Sequence, residues 1–123
     1  MAGLKVLFDT NILIDYLNGI PAARKEIERH RDAAISIVTW MEVMVGAQPG
    51  EQDRIRTFLS TFATLPLTAK VAEIAVTRRR ERRFKLPDAI IFATAELEGR
   101  LLVTRNTKDF ASDDPAVRVP YTF

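Results

Sequence analysis

Hydrophobic residues fall along this chain in short apolar runs that alternate with amphipathic stretches. Val6-Leu7-Phe8, preceded by Lys5 and ended by Asp9, has the pattern of a buried strand. Thr10 to Leu17 follows as a short helix closed by Asn18-Gly19, and Pro21 suits the first turn of a second, charged helix reaching about His30. Ala33 to Ile37 reads as a second strand, leading into an apolar helix from Thr39 to Val45 that stops near Gly46. After the Pro49-Gly50 turn, Ile55, Phe58, Leu59 and Phe62 recur at helical spacing between Glu51 and Phe62. Ala63 to Leu67 is a short strand, and Thr68 is placed to cap a helix running to about Arg83. Leu86-Pro87-Asp88 opens a helix from Ala89 to Glu98, stopped by Gly99. Leu101 to Thr104 is a strand, and Val117-Arg118-Val119 an edge strand.

Strands alternating with helices imply βαβ units. The expectation is an α/β fold with three α/β/α layers around a mostly parallel sheet. The 123 residues fit one domain, 1–123, without repeats, linkers or low-complexity tracts.

Composition narrows the chemistry. With 47% hydrophobic and 28% charged residues, the chain has an ordinary globular balance. No apolar run approaches the ~20 residues of a membrane span, and the start, Met1-Ala2-Gly3-Leu4-Lys5, lacks the features of a signal peptide. A cytoplasmic, non-membrane protein is expected. There is no cysteine, which excludes disulfides, thiolate zinc sites and a cysteine nucleophile. The one histidine, His30, lies in a highly charged run and reads as part of a solvated helix face. Carboxylates are then the available catalytic groups.

The net charge of +2 hides a concentrated block: residues 78–85 carry six cations and one anion, a local +5 that leaves −3 for the rest. Arg78, Arg79, Arg80, Arg82, Arg83 and Lys85 are candidates for binding a polyanion such as RNA. The other reading is a solubilising helix end that complements the helix dipole.

Four acids stand in apolar surroundings. Asp9 follows Val6-Leu7-Phe8, Glu42 lies within Trp40-Met41-Glu42-Val43-Met44-Val45, Asp88 precedes Ala89-Ile90-Ile91-Phe92, and Asp109 adjoins Phe110 beyond a strand. An acid in such a place is costly unless it is paired, hydrogen-bonded or bound to metal. Open parallel sheets carry their sites at the carboxyl ends of strands, where these residues fall. Carboxylates without His or Cys suit a hard cation, Mg²⁺ or Mn²⁺. Each also has a structural explanation: Asp9 and Asp88 as helix caps, Glu42 as an ion-pair partner of a cation such as Arg105, Asp109 as a surface loop acid.

These segments resemble the signatures of PIN domains. Phe8-Asp9-Thr10-Asn11-Ile12-Leu13-Ile14-Asp15 is similar to the family's opening motif, and Leu86-Pro87-Asp88-Ala89-Ile90-Ile91-Phe92-Ala93-Thr94-Ala95 to the motif around its third acid. Thr104-Arg105-Asn106-Thr107-Lys108-Asp109-Phe110 resembles the closing motif, with Glu42 in the place of the second acid. The resemblance spans residues 5 to about 110 and, at this length, is strongest to VapC-type toxins of VapBC toxin–antitoxin pairs. It implies Mg²⁺- or Mn²⁺-dependent cleavage of RNA, metal ligands at Asp9, Glu42 and Asp88, a small cognate antitoxin and a homodimer. One departure concerns the family's fourth acid, whose place holds Asn106; an amide can contact metal or water but brings no charge, and Asp109 is the alternative source.

In that reading Asp9 and Asp88 hold the principal cation, and Glu42 orients or deprotonates the attacking water or bridges to a second ion. Cleavage leaves a 5′-phosphate and a 3′-hydroxyl. Thr10 and Asn11 either cap the first helix or contact phosphate and ordered water. The apolar helix around Glu42 must be covered, by the core or by another chain; Trp40 and Met44, with Ile12, Tyr16 and Leu17 from the first helix, are candidates to line an antitoxin groove. Two rivals remain open: a decayed PIN-like RNA-binding scaffold, and a phosphatase using an aspartyl-phosphate. The latter usually needs a second Asp where this chain has Asn11.

Overall fold

The strands take up a five-stranded, wholly parallel sheet in the order β3-β2-β1-β4-β5 in the computed structural model, which describes residues 4–123. Met1, Ala2 and Gly3, part of the N-terminus read against a signal peptide, lie outside the described residues. The strands are β1 (Lys5–Phe8), β2 (Asp32–Ser36), β3 (Ala63–Leu65), β4 (Leu101–Val103) and β5 (Val117–Arg118). Between them run α1 (Thr10–Leu17), α2 (Pro21–Glu28), α3 (Ile37–Val45), α4 (Gln52–Leu59), α5 (Ala69–Arg82) and α6 (Leu86–Leu97).

The two-residue period of the strands divides the core. Val6, Phe8, Ile35 and Val103 face one cluster with Ile12, Leu13, Ile55 and Leu59 of α1 and α4. Leu7, Ala34, Leu102 and Val117 face the other, with Val71, Ala75, Ile91 and Phe92 of α5 and α6. Helices therefore cover both faces, as an all-parallel sheet requires.

Element ends follow local chemistry. Ser36 accepts a hydrogen bond from the Val38 amide and starts α3 two residues earlier than the apolar pattern suggests. Thr68 caps α5 as expected, through the Val71 amide. Gly99, at φ 63°, ends α6 in the left-handed region that favours glycine. Arg83 also lies at φ 58°, which closes α5 within the basic block.

One expectation is corrected here. His30 is not on a solvated face: its side chain is 3% exposed, its Nε2 lies 2.8 Å from Glu26 Oε2, and its ring meets Phe8 edge-on. Glu26 is equally buried and accepts two hydrogen bonds from Arg118 of β5, at 2.7 and 2.9 Å. The charged residues of α2 thus include a buried polar cluster that ties this helix to the edge strand, a pairing that helical periodicity within α2 cannot reveal.

Candidate active site

The chain runs β1, β2, β3 to one side of the sheet and returns to place β4 on the other side of β1. The carboxyl ends of β1 and β4 flank this switch in strand order, where open α/β sheets leave a crevice for ligands. Asp9 stands at the end of β1, with its amide donating to the Val103 carbonyl at 2.9 Å.

The Asp9 side chain is almost fully buried and held on every side. One carboxyl oxygen accepts from the Thr10 amide at 2.7 Å. The other accepts from the Thr104 hydroxyl at 2.7 Å and the Asn11 side-chain amide at 3.3 Å. Burial pushes its pKa up to about 6, against the hydrogen bonds from Thr104 and Thr10, and the nearby charges of Asp88 and Glu42 add to the rise. Asp9 is therefore the N-cap of α1, and at the same time a carboxylate whose charged form is disfavoured by burial.

Asp88 is not a cap. Lys85 occupies the N-cap position of α6, and Asp88 lies in the first turn. Its pKa is raised by burial, then by Asp109 and Glu42, with Lys85 opposing. Glu42 is exposed on α3 and accepts a 2.7 Å hydrogen bond from the Thr10 hydroxyl, which also lies 2.9 Å from that of Thr39. Arg105 does not pair with Glu42; it forms a two-pronged ion pair with Asp15 at 2.6 and 2.9 Å.

Asn106 is occupied in shaping its own loop. Its Oδ1 accepts from the amides of Lys108 and Asp109, both at 3.2 Å, and its Nδ2 donates to Asp109 Oδ2 at 2.9 Å. Within this loop Asp109 is the residue whose charge helps to raise the pKa of Asp88.

Asp88 and Glu42 thus act on Asp9, and Asp109 and Glu42 on Asp88, yet among the described residues no three metal-binding side chains are already closed around a common point. The donor set is nevertheless one that fits a hard divalent ion. It contains oxygen donors alone, and their mutual repulsion and desolvation would be relieved by positive charge.

The basic block divides in two. Arg78 pairs with Glu81 and Glu96, and Arg82 with Asp114 while lying over the Phe92 ring. Among the described residues Arg79, Arg80, Arg83 and Lys85 form no ion pair within 4.0 Å. The apolar residues around Glu42 also divide. Ile12 is fully buried, so it lies beneath any groove and cannot line one. Tyr16 stacks on Phe58, and Leu17, Trp40 and Met44 are half-buried against the core. The exposed apolar side chains of α3 are Met41 and Val45, at 55% and 86%.

Sequence reasoning did not assign the hydroxyls of Thr39 and Thr104, nor the Asp15–Arg105 pair. Thr104 and Asp15 do lie within the closing and opening motifs, and that position was the available signal.

This fold and its acid-bearing strand ends define a class. The PIN domain family model matches residues 6–112, and the chain belongs to the PIN-domain family. Over 113 residues it is 32% identical to Ribonuclease VapC10 of Mycobacterium tuberculosis, covering 85% of each chain. A chain in a solved toxin–antitoxin complex from Klebsiella pneumoniae is 50% identical, with a TM-score of 0.91 over 97% of this chain and 100% of that one. FitAcB from Neisseria gonorrhoeae shares the fold at 24% identity, with a TM-score of 0.78 over 94% of this chain and 97% of its own.

Proposed function

We propose that this chain is a divalent-metal-dependent endoribonuclease and the toxin of a toxin–antitoxin pair. The observation that carries the reading is the buried Asp9 at the carboxyl end of β1 in a PIN-domain sheet, with Glu42 bonded to the neighbouring Thr10 and with the charges of Glu42 and Asp88 adding to the burial that raises the Asp9 pKa to about 6. The similarity to a named ribonuclease and to a toxin–antitoxin complex supports the activity and the partner.

Asp9, Glu42 and Asp88 are the residues to hold Mg²⁺ or Mn²⁺, with Asp109 adding charge beside Asp88. When bound, such a cation neutralises phosphate charge and lowers the pKa of water. Thr104, Asn11 and Thr10 fix the Asp9 carboxylate, and Thr10 also holds Glu42, which is placed to orient or deprotonate water. Arg79, Arg80, Arg83 and Lys85 are the cations available to an RNA backbone; Arg78 and Arg82 must first leave their acidic partners. No helix among the described residues is long and apolar enough to cross a membrane.

The purified chain, freed of antitoxin, should cleave structured RNA with Mg²⁺ or Mn²⁺ and stop on addition of EDTA. Cleavage that persists in EDTA would refute metal dependence. The resemblance also carries the expectation that two copies pair, which a molar mass from light scattering reads directly.

Antitoxin binding is expected on the α1–α3–α4 side of Glu42. There a cavity of about 170 Å³ is lined by Ile14, Leu17, Glu42, Val43, Gly46 and Ile55 among others. Another of about 340 Å³, also between α3 and α4, is lined by Trp40, Met41, Met44, Val45, Gln52 and Arg56. Trp40 and Met44 also support the core, so polar substitutions there mix binding with stability. Met41→Asp and Val45→Asp should instead leave the melting temperature within about 3 °C, as exposed changes usually do, while weakening antitoxin binding at least about tenfold. Unchanged affinity in both variants would move the antitoxin off this face.

A further inference from the structure

We infer that Arg105 is a positioning residue for the acid cluster, held by Asp15 and by the segment Tyr121–Phe123; the inference rests on the nuclease reading above. Asp15, in the last half of α1, has a side chain only 5% exposed. A carboxylate so enclosed needs donors, and it has three: Arg105 Nε at 2.6 Å, Arg105 Nη2 at 2.9 Å and the Tyr121 hydroxyl at 2.8 Å. The guanidinium also lies 4.7 Å from the centroid of the Phe123 ring. An exposed ion pair contributes little, but a two-pronged one to a buried carboxylate is directional and hard to displace.

The backbone of the same residue reaches the site. The Arg105 amide donates to Asn11 Oδ1 at 3.2 Å, and Asn11 Nδ2 donates in turn to Asp9 and to Thr104. One residue on, the Asn106 amide donates to the Thr104 hydroxyl, and its side chain holds Asp109. Helix α1 therefore grips the Thr104–Asp109 loop at two levels, through Asn11 near its start and Asp15 near its end. With the side chain of Arg105 locked, its amide fixes the orientation of Asn11, and Asn11 and Thr104 fix the Asp9 oxygen. The remaining loop residues carry Asp109 toward Asp88.

Arg105→Lys keeps the charge but cannot make the fork, and Tyr121→Phe removes one hydrogen bond while keeping the ring. Three measurements on each variant decide the matter: amide hydrogen exchange of the metal-free protein, Mn²⁺ affinity by calorimetry, and thermal melting. Arg105→Lys should speed exchange across residues 104–109 and weaken Mn²⁺ binding about tenfold, the usual scale for a group that orients a metal ligand. Its melting temperature should stay within about 5 °C. Tyr121→Phe should act in the same direction and less, and if Arg105→Lys does not fold, Tyr121→Phe decides alone. Wild-type exchange in the loop together with wild-type Mn²⁺ affinity would overturn the inference, whatever happens to the melt. A wild-type protein without Mn²⁺ affinity would instead refute the metal site, and loop exchange would still decide the role of Arg105.

Discussion

Asp88→Asn should reduce RNA cleavage by about a hundredfold or more, the scale of losing one charge-stabilising group from an active site, while the metal-free protein melts no lower than wild type. Asp88 caps nothing, and its charged form is disfavoured by burial and by the acids Asp109 and Glu42. Removing that charge takes away more repulsion from Asp109 and Glu42 than attraction to Lys85, and no hydrogen bond. Asp9→Asn should abolish cleavage equally but melt lower, because the Thr10 amide, the Thr104 hydroxyl and the Asn11 amide all donate to its carboxylate. An asparagine amide would turn donors against donors. Cleavage rates at saturating Mn²⁺, beside melts in EDTA, separate the two residues. If Asp88→Asn kept wild-type turnover, the acid cluster would not be the active site.

Glu26→Gln should bring the largest loss of stability among the conservative changes. Its carboxylate is buried and satisfies Arg118 twice and His30 once. Breaking a buried pair by removing one partner commonly costs 3–5 kcal/mol; Arg118 is one-third exposed and can turn to water, so about 3 kcal/mol is expected. For a domain of this size that corresponds to a fall of roughly 10 °C in melting temperature. Burial opposes ionisation of Glu26, but the bonds from Arg118 and His30 outweigh it and hold the pKa below the ordinary 4.5. A depressed carboxylate contributes in full above its unfolded-state value and loses that contribution as pH falls through the folded one. The gap between wild type and variant should therefore be steady from neutral pH to about 5 and close only in more acidic solution. A fall under about 3 °C at pH 7 would mean that the cluster is not holding α2 to β5.

Much of this architecture is legible in the sequence because its signals are local. The apolar run before Asp9, the helical spacing of Ile55, Phe58, Leu59 and Phe62, and the turn residues Gly19 and Gly99 mark elements whose ends fall within a few residues of the pattern. Asp9, Glu42, Asp88 and Asp109 stand out for the same reason, as charges in apolar surroundings. What stays hidden depends on distant pairing. Asp9 and Asp88 look alike as possible caps, and only the backbone separates them. His30 looks solvated because Phe8 of β1, which meets its ring, and Arg118 of β5, which shares its partner Glu26, lie outside its own segment. Arg105 has several acids within plausible reach, and the fold selects Asp15, ninety residues earlier.

The bond between Thr104 and Asp9 joins residues 95 positions apart, and the Asn11 and Arg105 contacts span almost as much. During synthesis Asp9 therefore emerges 95 positions before the Thr104 hydroxyl that holds it. A nascent or truncated chain lacking residues 104–109 would present Asp9 without its Thr104 partner and Asp88 without Asp109. Orientation of the first acid would then wait on the synthesis of residues 104–109.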